Sequence, residues 1–324
     1  MNFNKEEWKL RRLKSLISEL NIAIDRCEDI DQIPDKANPG LFIEKNLSSI
    51  GDSLVEAIDC GVEEFQQGLM TGLRDLDWML GGFNKSELVI IAGRPSMGKS
   101  TLAMQIAEHI SNQETVIIFS LEMAKRQVAH RFLKFHESLI DKAQAISHLY
   151  GLKMYIDDKS AISIAHIRSQ CRKIKREHGL SMIVVDCIQL MAGAEDKEKI
   201  SHGLKEIAME FDISVVAISR LNRNVDVRIS KRPVMSDLRE SGEIEQDADL
   251  ILFIYRDEVY HTDSKNKGLA EIICCKNRNR SIVSIITKFN GEITRFSDFN
   301  GKRILRSVKK KERGYTGLNN ESAS

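Results

Sequence analysis

One glycine-rich segment limits the folds open to this chain more than any other. Residues 93–100 read Gly-Arg-Pro-Ser-Met-Gly-Lys-Ser, which fits the pattern G-x-x-x-x-G-K-[ST]. The apolar run 88–92 predicts a buried strand directly before it, and residues 101–109 predict a helix directly after it. Such a loop places backbone N–H groups around phosphate oxygens at a helix N-terminus, where the helix dipole favours negative charge. The segment therefore predicts a nucleoside triphosphate site, against the weaker alternative of a chance glycine turn.

The residue types in this loop predict individual roles. Lys99 is expected to reach the β- and γ-phosphates and so to take part in catalysis, and the Ser100 hydroxyl is expected to ligate Mg²⁺. The predicted cofactor-binding residues, with ATP as the cofactor, are Gly93, Arg94, Pro95, Ser96, Met97, Gly98, Lys99, Ser100 and Thr101.

Polar residues end three further predicted strands. Asp186 follows the apolar residues 182–185, as expected of a Walker B aspartate that holds Mg²⁺, although a turn aspartate after a core strand has the same pattern. Glu122 follows the strand 115–121 and is a candidate general base, or a carboxylate that only complements a helix dipole. Arg220 ends the strand 213–219 and is a candidate sensor of the γ-phosphate. These residues should meet at one sheet edge, because the carboxyl ends of parallel strands form the ligand crevice.

The order of apolar and amphipathic segments predicts an α/β fold. The first five apolar runs are rich in Val, Ile and Leu, which is typical of strands covered on both faces, whereas the last three are shorter and suggest an antiparallel extension of a mostly parallel sheet. The predicted strands are 88–92, 115–121, 182–190, 213–219, 248–255, 269–275, 282–288 and 293–296, and the predicted helices between them are 123–135, 163–178 and 195–211.

Composition excludes several classes of protein. The 324 residues carry a net charge of +1, so any site for a polyanion must be local. No apolar run reaches membrane-spanning length and no signal pattern begins the chain, which predicts a cytoplasmic protein with no membrane partner. The six cysteines form no C-x-x-C pair, which favours reduced, buried thiols over zinc ligands or disulfides.

The sequence does not decide the functions of two basic segments. Residues 221–249 contain five Lys or Arg residues and no Phe, Tyr or Trp, so this segment is either a solvated loop or one that grips nucleic-acid phosphates without stacking on bases. Lys276, Arg278 and Arg280 lie in a tight connection between two strands, which is either a plain surface turn or a cationic finger that reaches a neighbour's γ-phosphate.

Taken together, these segments resemble the C-terminal ATPase domain of the DnaB-type replicative helicases, a hexameric branch of the RecA-like ATPases. The resemblance covers about 68–299 and is carried by the residues of 93–100, 119–123 (Phe-Ser-Leu-Glu-Met), 185–190 (Val-Asp-Cys-Ile-Gln-Leu), 236–249 (Ser-Asp-Leu-Arg-Glu-Ser-Gly-Glu-Ile-Glu-Gln-Asp-Ala-Asp) and 253–258 (Phe-Ile-Tyr-Arg-Asp-Glu). It implies a RecA-like P-loop core in a homohexamer that unwinds duplex DNA 5′ to 3′ with ATP and Mg²⁺, acting on single-stranded or forked DNA.

The resemblance also implies residue roles. Glu122 would be the catalytic glutamate, Asp186 the Walker B aspartate, and Lys276 and Arg278 groups that act in trans at the subunit boundary. The residues that it and the basic composition assign to the DNA are Arg223, Arg239, Glu240 and Gly242.

It further divides the chain into four parts. These are a short helical segment with linker (1–40), a linker helix that docks on the adjacent protomer or packs on the chain's own core (41–67), the ATPase domain (68–300), and a basic tail (301–324) that is disordered or touches nucleic acid. A helicase loader and a primase are partners of the family, but 1–67 is too short for the family's N-terminal collar domain, so these contacts do not follow from the resemblance.

Two residues depart from the family pattern. Arg220 replaces a neutral Gln that senses the γ-phosphate, and Arg280 replaces the glycine of a Lys-Gln-Arg-Asn-Gly hairpin. Two other functions therefore stay open beside the helicase: a RecA-like DNA-binding ATPase that does not unwind, and a non-catalytic partner of a complete helicase.

Overall fold

The computed structural model describes residues 68–136, 140–192, 197–238, 242–299 and 306–307. The predictions for 1–40 and 41–67 lie outside these residues. So does most of the predicted disordered tail, but Arg306–Ser307 form a short strand that pairs with the edge of the sheet.

Eight of the described helices and strands come before the strand that ends at Asp186. In chain order they are α1 Arg74–Leu80, β1 Leu88–Gly93, α2 Lys99–Ser111, β2 Val116–Ser120, α3 Lys125–His136, α4 Lys142–Tyr150, β3 Met154–Asp157, α5 Ile164–His178, β4 Met182–Asp186, α6 Lys197–Glu210, β5 Ser214–Arg220, α7 Asn224–Val227, α8 Gly242–Asp247, β6 Leu250–Tyr255, β7 Leu269–Asn277, β8 Val283–Asn290, β9 Arg295–Asp298 and β10 Arg306–Ser307. Short 3₁₀ helices occupy Ile188–Leu190, Met235–Leu238 and Asp257–Val259.

All described strands belong to one sheet, in the order β10-β8-β7-β6-β1-β5-β4-β2-β3, with β9 also paired to β8. The pairs from β6 through β1, β5, β4 and β2 to β3 are parallel. The pairs among β6, β7, β8, β9 and β10 are antiparallel. The predicted parallel core with an antiparallel extension is confirmed.

Helices cover both faces of the parallel strands, which is why those strands are apolar throughout. In β1, Val89 and Ile91 face a core cluster that includes residues of α2, while Leu88 and Ile90 face a second cluster that includes residues of α5 and α6. Every residue of β1, β2 and β4 is buried. The described cysteines are free thiols, and burial raises the pKa of Cys171 to about 12.

The structure differs from the sequence prediction in several elements, among them the end of one strand, β3 and α4. The strand predicted for 182–190 ends at Asp186, and a 3₁₀ helix follows at Ile188–Leu190. The edge strand β3 and the helix α4 were not predicted, because β3 has four half-buried residues and α4 buries only Ala145. Weak burial leaves a weak periodic pattern in the sequence.

Candidate nucleotide-binding and catalytic site

The phosphate loop turns from β1 into α2 through a backbone shape that only glycine adopts easily. Gly98 caps α2 with φ 100°, in the left-handed region. A Cβ atom at Gly98 would lie 2.9 Å from Cζ of Phe296, so a side chain would meet both strain and a clash. The loop is thus closely backed by the antiparallel extension, since Phe296 lies on β9.

A cleft of about 630 Å³ opens at the carboxyl edge of the parallel strands. Strand register brings its parts to the same level: Gly93 pairs with Arg220, and Ser120 pairs with Asp186. The residues that line the cleft are Pro95, Ser96, Gly98, Lys99, Ser100, Thr101, Glu122, Arg131, Asp186, Cys187, Ile218, Arg220, Arg256, Phe289, Gly291 and Thr294. The structure therefore brings together Lys99, Ser100, Glu122, Asp186 and Arg220, as the sequence predicts.

Three of the nine predicted cofactor-binding residues do not line the cleft. Gly93 ends β1, and the Arg94 side chain turns away to pair with Asp226. Met97 is buried, and its sulfur accepts a hydrogen bond of 3.3 Å from the backbone N–H of Arg256. In the structure these residues shape and support the loop.

Burial shifts the pKa values of Lys99 and Asp186, the two groups expected nearest the phosphates. Burial lowers the pKa of Lys99, and the nearby Asp186 carboxylate opposes that shift. The Lys99 ammonium donates a 2.9 Å hydrogen bond to the carbonyl of Arg94, so it already lies inside the loop.

Asp186 and Ser100 form an oxygen pair suited to a magnesium ion. Burial raises the pKa of Asp186, and a hydrogen bond with the Ser100 hydroxyl opposes that shift. Ligand atoms of Glu122, Asp186 and Cys187 also lie within 4.8 Å of one another. Mg²⁺ prefers oxygen ligands, so the Ser100–Asp186 pair fits it and the Cys187 thiol does not.

Glu122 and Arg220 form an ion pair inside the cleft. Nη2 of Arg220 lies 2.9 Å from Oε2 of Glu122, and the Glu122 side chain is 53% exposed. A second contact fixes the backbone of Arg220, because its N–H donates to Oε1 of Gln189 at 3.2 Å. Gln189 Nε2 in turn donates to the Ser219 hydroxyl at 2.9 Å, which ties the 3₁₀ helix to the end of β5.

The geometry of the cleft agrees with the protein family that the chain matches. The model of the DnaB-like helicase C-terminal domain matches residues 68–298. The chain belongs to this family. The family consists of ATP-hydrolysing DNA helicases, so the enzyme class expected from the sequence is confirmed.

Curated DnaB proteins are similar over most of the chain. The replicative DNA helicase DnaB of Haemophilus influenzae is 37% identical over 321 residues, which cover 89% of this chain and 68% of that protein. The DnaB of Buchnera aphidicola subsp. Schizaphis graminum is 42% identical over 288 residues, which cover 80% of this chain and 62% of that protein. The chain thus spans about two thirds of the length of these DnaB relatives.

Solved structures give the same family and fold. The ATPase domain of G40P matches with a TM-score of 0.73 and 31% identity, over 78% of this chain and 100% of that one. A DnaB-like replicative helicase, described together with its interactions with primase, matches with a TM-score of 0.78 and 30% identity, over 91% and 76%. The RadB recombinase, 20% identical with a TM-score of 0.50, shares the fold alone.

Two arginines of the DnaB-like cleft were missed by sequence reasoning. Arg131 reaches it from α3, and Arg256 reaches it from the end of β6. Arg256 Nη1 donates to the carbonyl of Ser96 at 3.0 Å, and its guanidinium lies 3.8 Å from the Phe289 ring centroid. Arg256 directly follows a predicted strand, so its position at the carboxyl edge of the sheet could have been predicted. The direction in which α3 places Arg131 could not.

The cationic hairpin lies at the other end of the sheet. Asn277 pairs with Leu250 at the start of β6, whereas the phosphate loop follows the end of β1. Leu250 pairs with Val89, so the four steps from Val89 to Gly93 separate these levels, or about 13 Å. Lys276 donates to the carbonyls of Glu245 and Gln246 at 2.6 and 3.1 Å, and Arg278 donates to that of Gln246 at 2.6 Å.

The residues predicted to contact DNA are only partly described. Arg223 is exposed just before α7, and Gly242 begins α8. Arg239 and Glu240 lie outside the described residues.

Among the described helices, none is both long and apolar enough to cross a bilayer.

Proposed function

We propose that this chain is the motor of a replicative DNA helicase, a homohexamer in the cytoplasm that hydrolyses ATP with Mg²⁺ and unwinds forked DNA from 5′ to 3′. One observation carries the proposal: a single cleft gathers a phosphate loop, an oxygen pair for the metal and the exposed carboxylate of Glu122. These are the parts that phosphoryl transfer to water requires.

The loop and the metal pair would hold the triphosphate. Backbone N–H groups at the start of α2 favour its negative charge, and Lys99 would leave the Arg94 carbonyl for the β- and γ-phosphates. Ser100 and Asp186 would hold Mg²⁺, which neutralises charge on the phosphates when bound.

Glu122 is the proposed general base, and Arg220 is proposed to control it. The guanidinium of Arg220 now pairs with the carboxylate that must orient the attacking water. The γ-phosphate oxygens are the competing anion in this cleft. When they attract Arg220, Glu122 becomes available, so that hydrolysis begins only with a triphosphate in place.

Lys276 and Arg278 are proposed to complete a neighbour's site. In the same chain they lie toward the opposite end of the strands from the phosphate loop, which supports a role for their charge across a subunit boundary. The same side chains hold the carbonyls at the end of α8, directly after the proposed DNA loop, which links the boundary to DNA contact.

DNA is proposed to lie along Arg223, Arg239, Glu240 and Gly242, held by its backbone phosphates. Such binding is insensitive to sequence and weakens steeply with salt. A primase is a proposed partner, because a similar solved helicase is described with its primase interactions, and a loader is proposed on the family resemblance. The presence of Lys99, Ser100, Glu122 and Asp186 in one cleft supports a catalytic subunit over a non-catalytic partner.

The test is strand displacement from a fork. Wild-type protein should displace the strand from a fork with a 5′ tail when ATP and Mg²⁺ are present, and should fail on a fork with only a 3′ tail. Glu122→Gln should bind ATP as tightly as wild type but lose turnover by a factor of about 10² to 10⁴. ATP hydrolysis stimulated by single-stranded DNA without displacement on either fork would instead favour a RecA-like ATPase that does not unwind.

A further inference from the structure

The phosphate-loop residue Arg94 contacts the basic segment and not the cleft. Its Nε lies 3.2 Å from Oδ1 of Asp226, and its Nη2 bonds to Oδ2 of the same carboxylate. Nη1 donates to the carbonyl of Leu221 at 2.9 Å. One side chain therefore joins the phosphate loop to the first residues after β5 by three hydrogen bonds, two of them to a charged partner.

Asp226 is one of the points at which the basic segment is anchored. It lies on α7, the short helix that begins directly after Arg223, and the Tyr260 hydroxyl donates to its Oδ1 at 3.1 Å. Lys231 donates to its backbone carbonyl at 2.6 Å. Partial burial alone would raise the pKa of Asp226, but hydrogen bonds from Arg94 and Tyr260 outweigh it and lower that pKa, so the carboxylate is charged at neutral pH.

Other contacts also hold the basic segment. Val225 is fully buried, and ion pairs hold Arg228 and Arg232 to other parts of the protein. Arg223 is exposed and lies directly before α7. The contact of α7 with the phosphate loop through Arg94 and Asp226 is therefore well placed to set the position of Arg223.

The other end of Arg94 meets the group that responds to nucleotide. The Arg94 carbonyl accepts the 2.9 Å hydrogen bond from Lys99. A phosphate bound in the loop competes for the same ammonium. Nucleotide binding thus removes a partner from the backbone of the residue whose side chain holds Asp226.

We propose that Arg94 and Asp226 transmit the occupancy of the phosphate loop to α7 and to Arg223 beside it, and so set how tightly Arg223 grips DNA phosphates. Both are positioning residues, because Asp226 touches neither the cleft nor the catalytic groups. The inference rests on the proposed function, which supplies ATP and DNA as the two ligands. A coupling of this kind is measured as the ratio of DNA affinities in two nucleotide states.

The main test is Asp226→Asn, which keeps the shape of the side chain and removes its charge. The affinity for a fluorescent single-stranded oligo-dT is measured by anisotropy, once with ADP and once with a non-hydrolysable ATP analogue. We expect the ratio of the two affinities to fall by about fivefold or more from the wild-type value. Basal ATP hydrolysis and the affinity for the ATP analogue should stay within about twofold of wild type, because the cleft is untouched.

Two further variants accompany this test, one as a second test of the link and one as a control. Tyr260→Phe removes one hydrogen bond from Asp226 but keeps the ring, so its ratio should fall in the same direction by less, and it tests the link even if Asp226→Asn folds poorly. Asp263→Asn removes a charge from an exposed aspartate after β6 and should leave the ratio unchanged.

The outcomes separate the inference from the function on which it rests. Wild-type protein that neither hydrolyses ATP nor binds the oligonucleotide contradicts the proposed function, and the inference with it. A normal nucleotide response in wild type that persists in Asp226→Asn and Tyr260→Phe overturns the inference alone. Equal weakening of DNA binding in both nucleotide states, with the ratio unchanged, would make Asp226 part of the DNA surface and also overturns it.

Discussion

At the scale of single residues, the cleft contains an ion pair that must separate before ATP hydrolysis. Arg220 and Glu122 are about half exposed, at 44% and 53%, and lie 2.9 Å apart. An exposed pair of this kind contributes about 0–1 kcal/mol, because water and salt screen both charges. That is small beside the attraction of a guanidinium for a triphosphate, so the pair is stable enough to form and weak enough to exchange.

Arg220→Gln tests this exchange. A neutral amide cannot pair with the Glu122 carboxylate, so we expect basal ATP hydrolysis without DNA to rise about two- to fivefold, which corresponds to the loss of an exposed pair. Stimulation by single-stranded DNA should shrink correspondingly. The measurement is steady-state turnover with and without oligonucleotide, with Arg176→Gln on the exposed face of α5 as the control. Slower basal turnover in Arg220→Gln would show that Arg220 assists the chemistry directly and does not restrain it.

At the scale of elements, the phosphate-loop helix is tied to the antiparallel extension by one amide. Gln105 on α2 is buried, and its Nε2 donates to the carbonyl of Phe296 at 2.9 Å. The N–H of Phe296 donates back to Oε1 of Gln105 at 2.8 Å. The side chain thus satisfies both backbone groups of a β9 residue whose ring backs Gly98.

Gln105→Leu should therefore damage both stability and nucleotide binding. The leucine is similar in size but leaves the N–H and C=O of Phe296 unpaired in the interior, where each unpaired group costs about 1–3 kcal/mol. We expect the free energy of unfolding to fall by about 2–6 kcal/mol and the affinity for ATP to weaken as β9 shifts from the loop. Urea denaturation and nucleotide titration measure these effects. Gln113→Leu, on an exposed turn, is the control. Equal stability of Gln105→Leu and wild type would show that the Gln105 hydrogen bonds do not hold β9 to α2.

At the scale of the whole molecule, the two halves of the proposed catalytic site face opposite ends of one sheet. The phosphate loop follows the end of β1, and the hairpin of Lys276 and Arg278 lies beside the start of β6. Such a subunit suits a head-to-tail ring, because a heterologous interface joins one surface to a different surface of the next copy.

Mixing two inactive variants tests this arrangement. Lys99→Ala removes the phosphate contact and Arg278→Ala removes the trans cation, so each should lose most ATP hydrolysis alone. In an equal random mixture about one interface in four would combine an intact loop with an intact finger, and activity should return in that proportion. Arg280→Ala, in the same hairpin, is the control and should stay active. Full turnover of Arg278→Ala by itself, unchanged by dilution, would contradict a site shared between subunits.

Much of the fold and site was predictable because the signals are local. The glycine pattern, the apolar strands and the residues that end them place Lys99, Glu122, Asp186 and Arg220 at one edge without any long-range information, since parallel strands covered on both faces leave continuous apolar runs. The same residues carried the family resemblance, and the comparisons confirm it.

Contacts between distant segments were not predictable from these patterns. Arg94 is in the phosphate loop by sequence, but Asp226, 132 residues away, turns its side chain out of the cleft. Arg131 and Phe289 enter the cleft because α3 and β8 pack at particular angles, and the Glu122–Arg220 pair exists because two strand ends meet. Backbone spacing along a chain specifies which residues a strand or turn presents, whereas the packing of whole elements specifies what those residues touch.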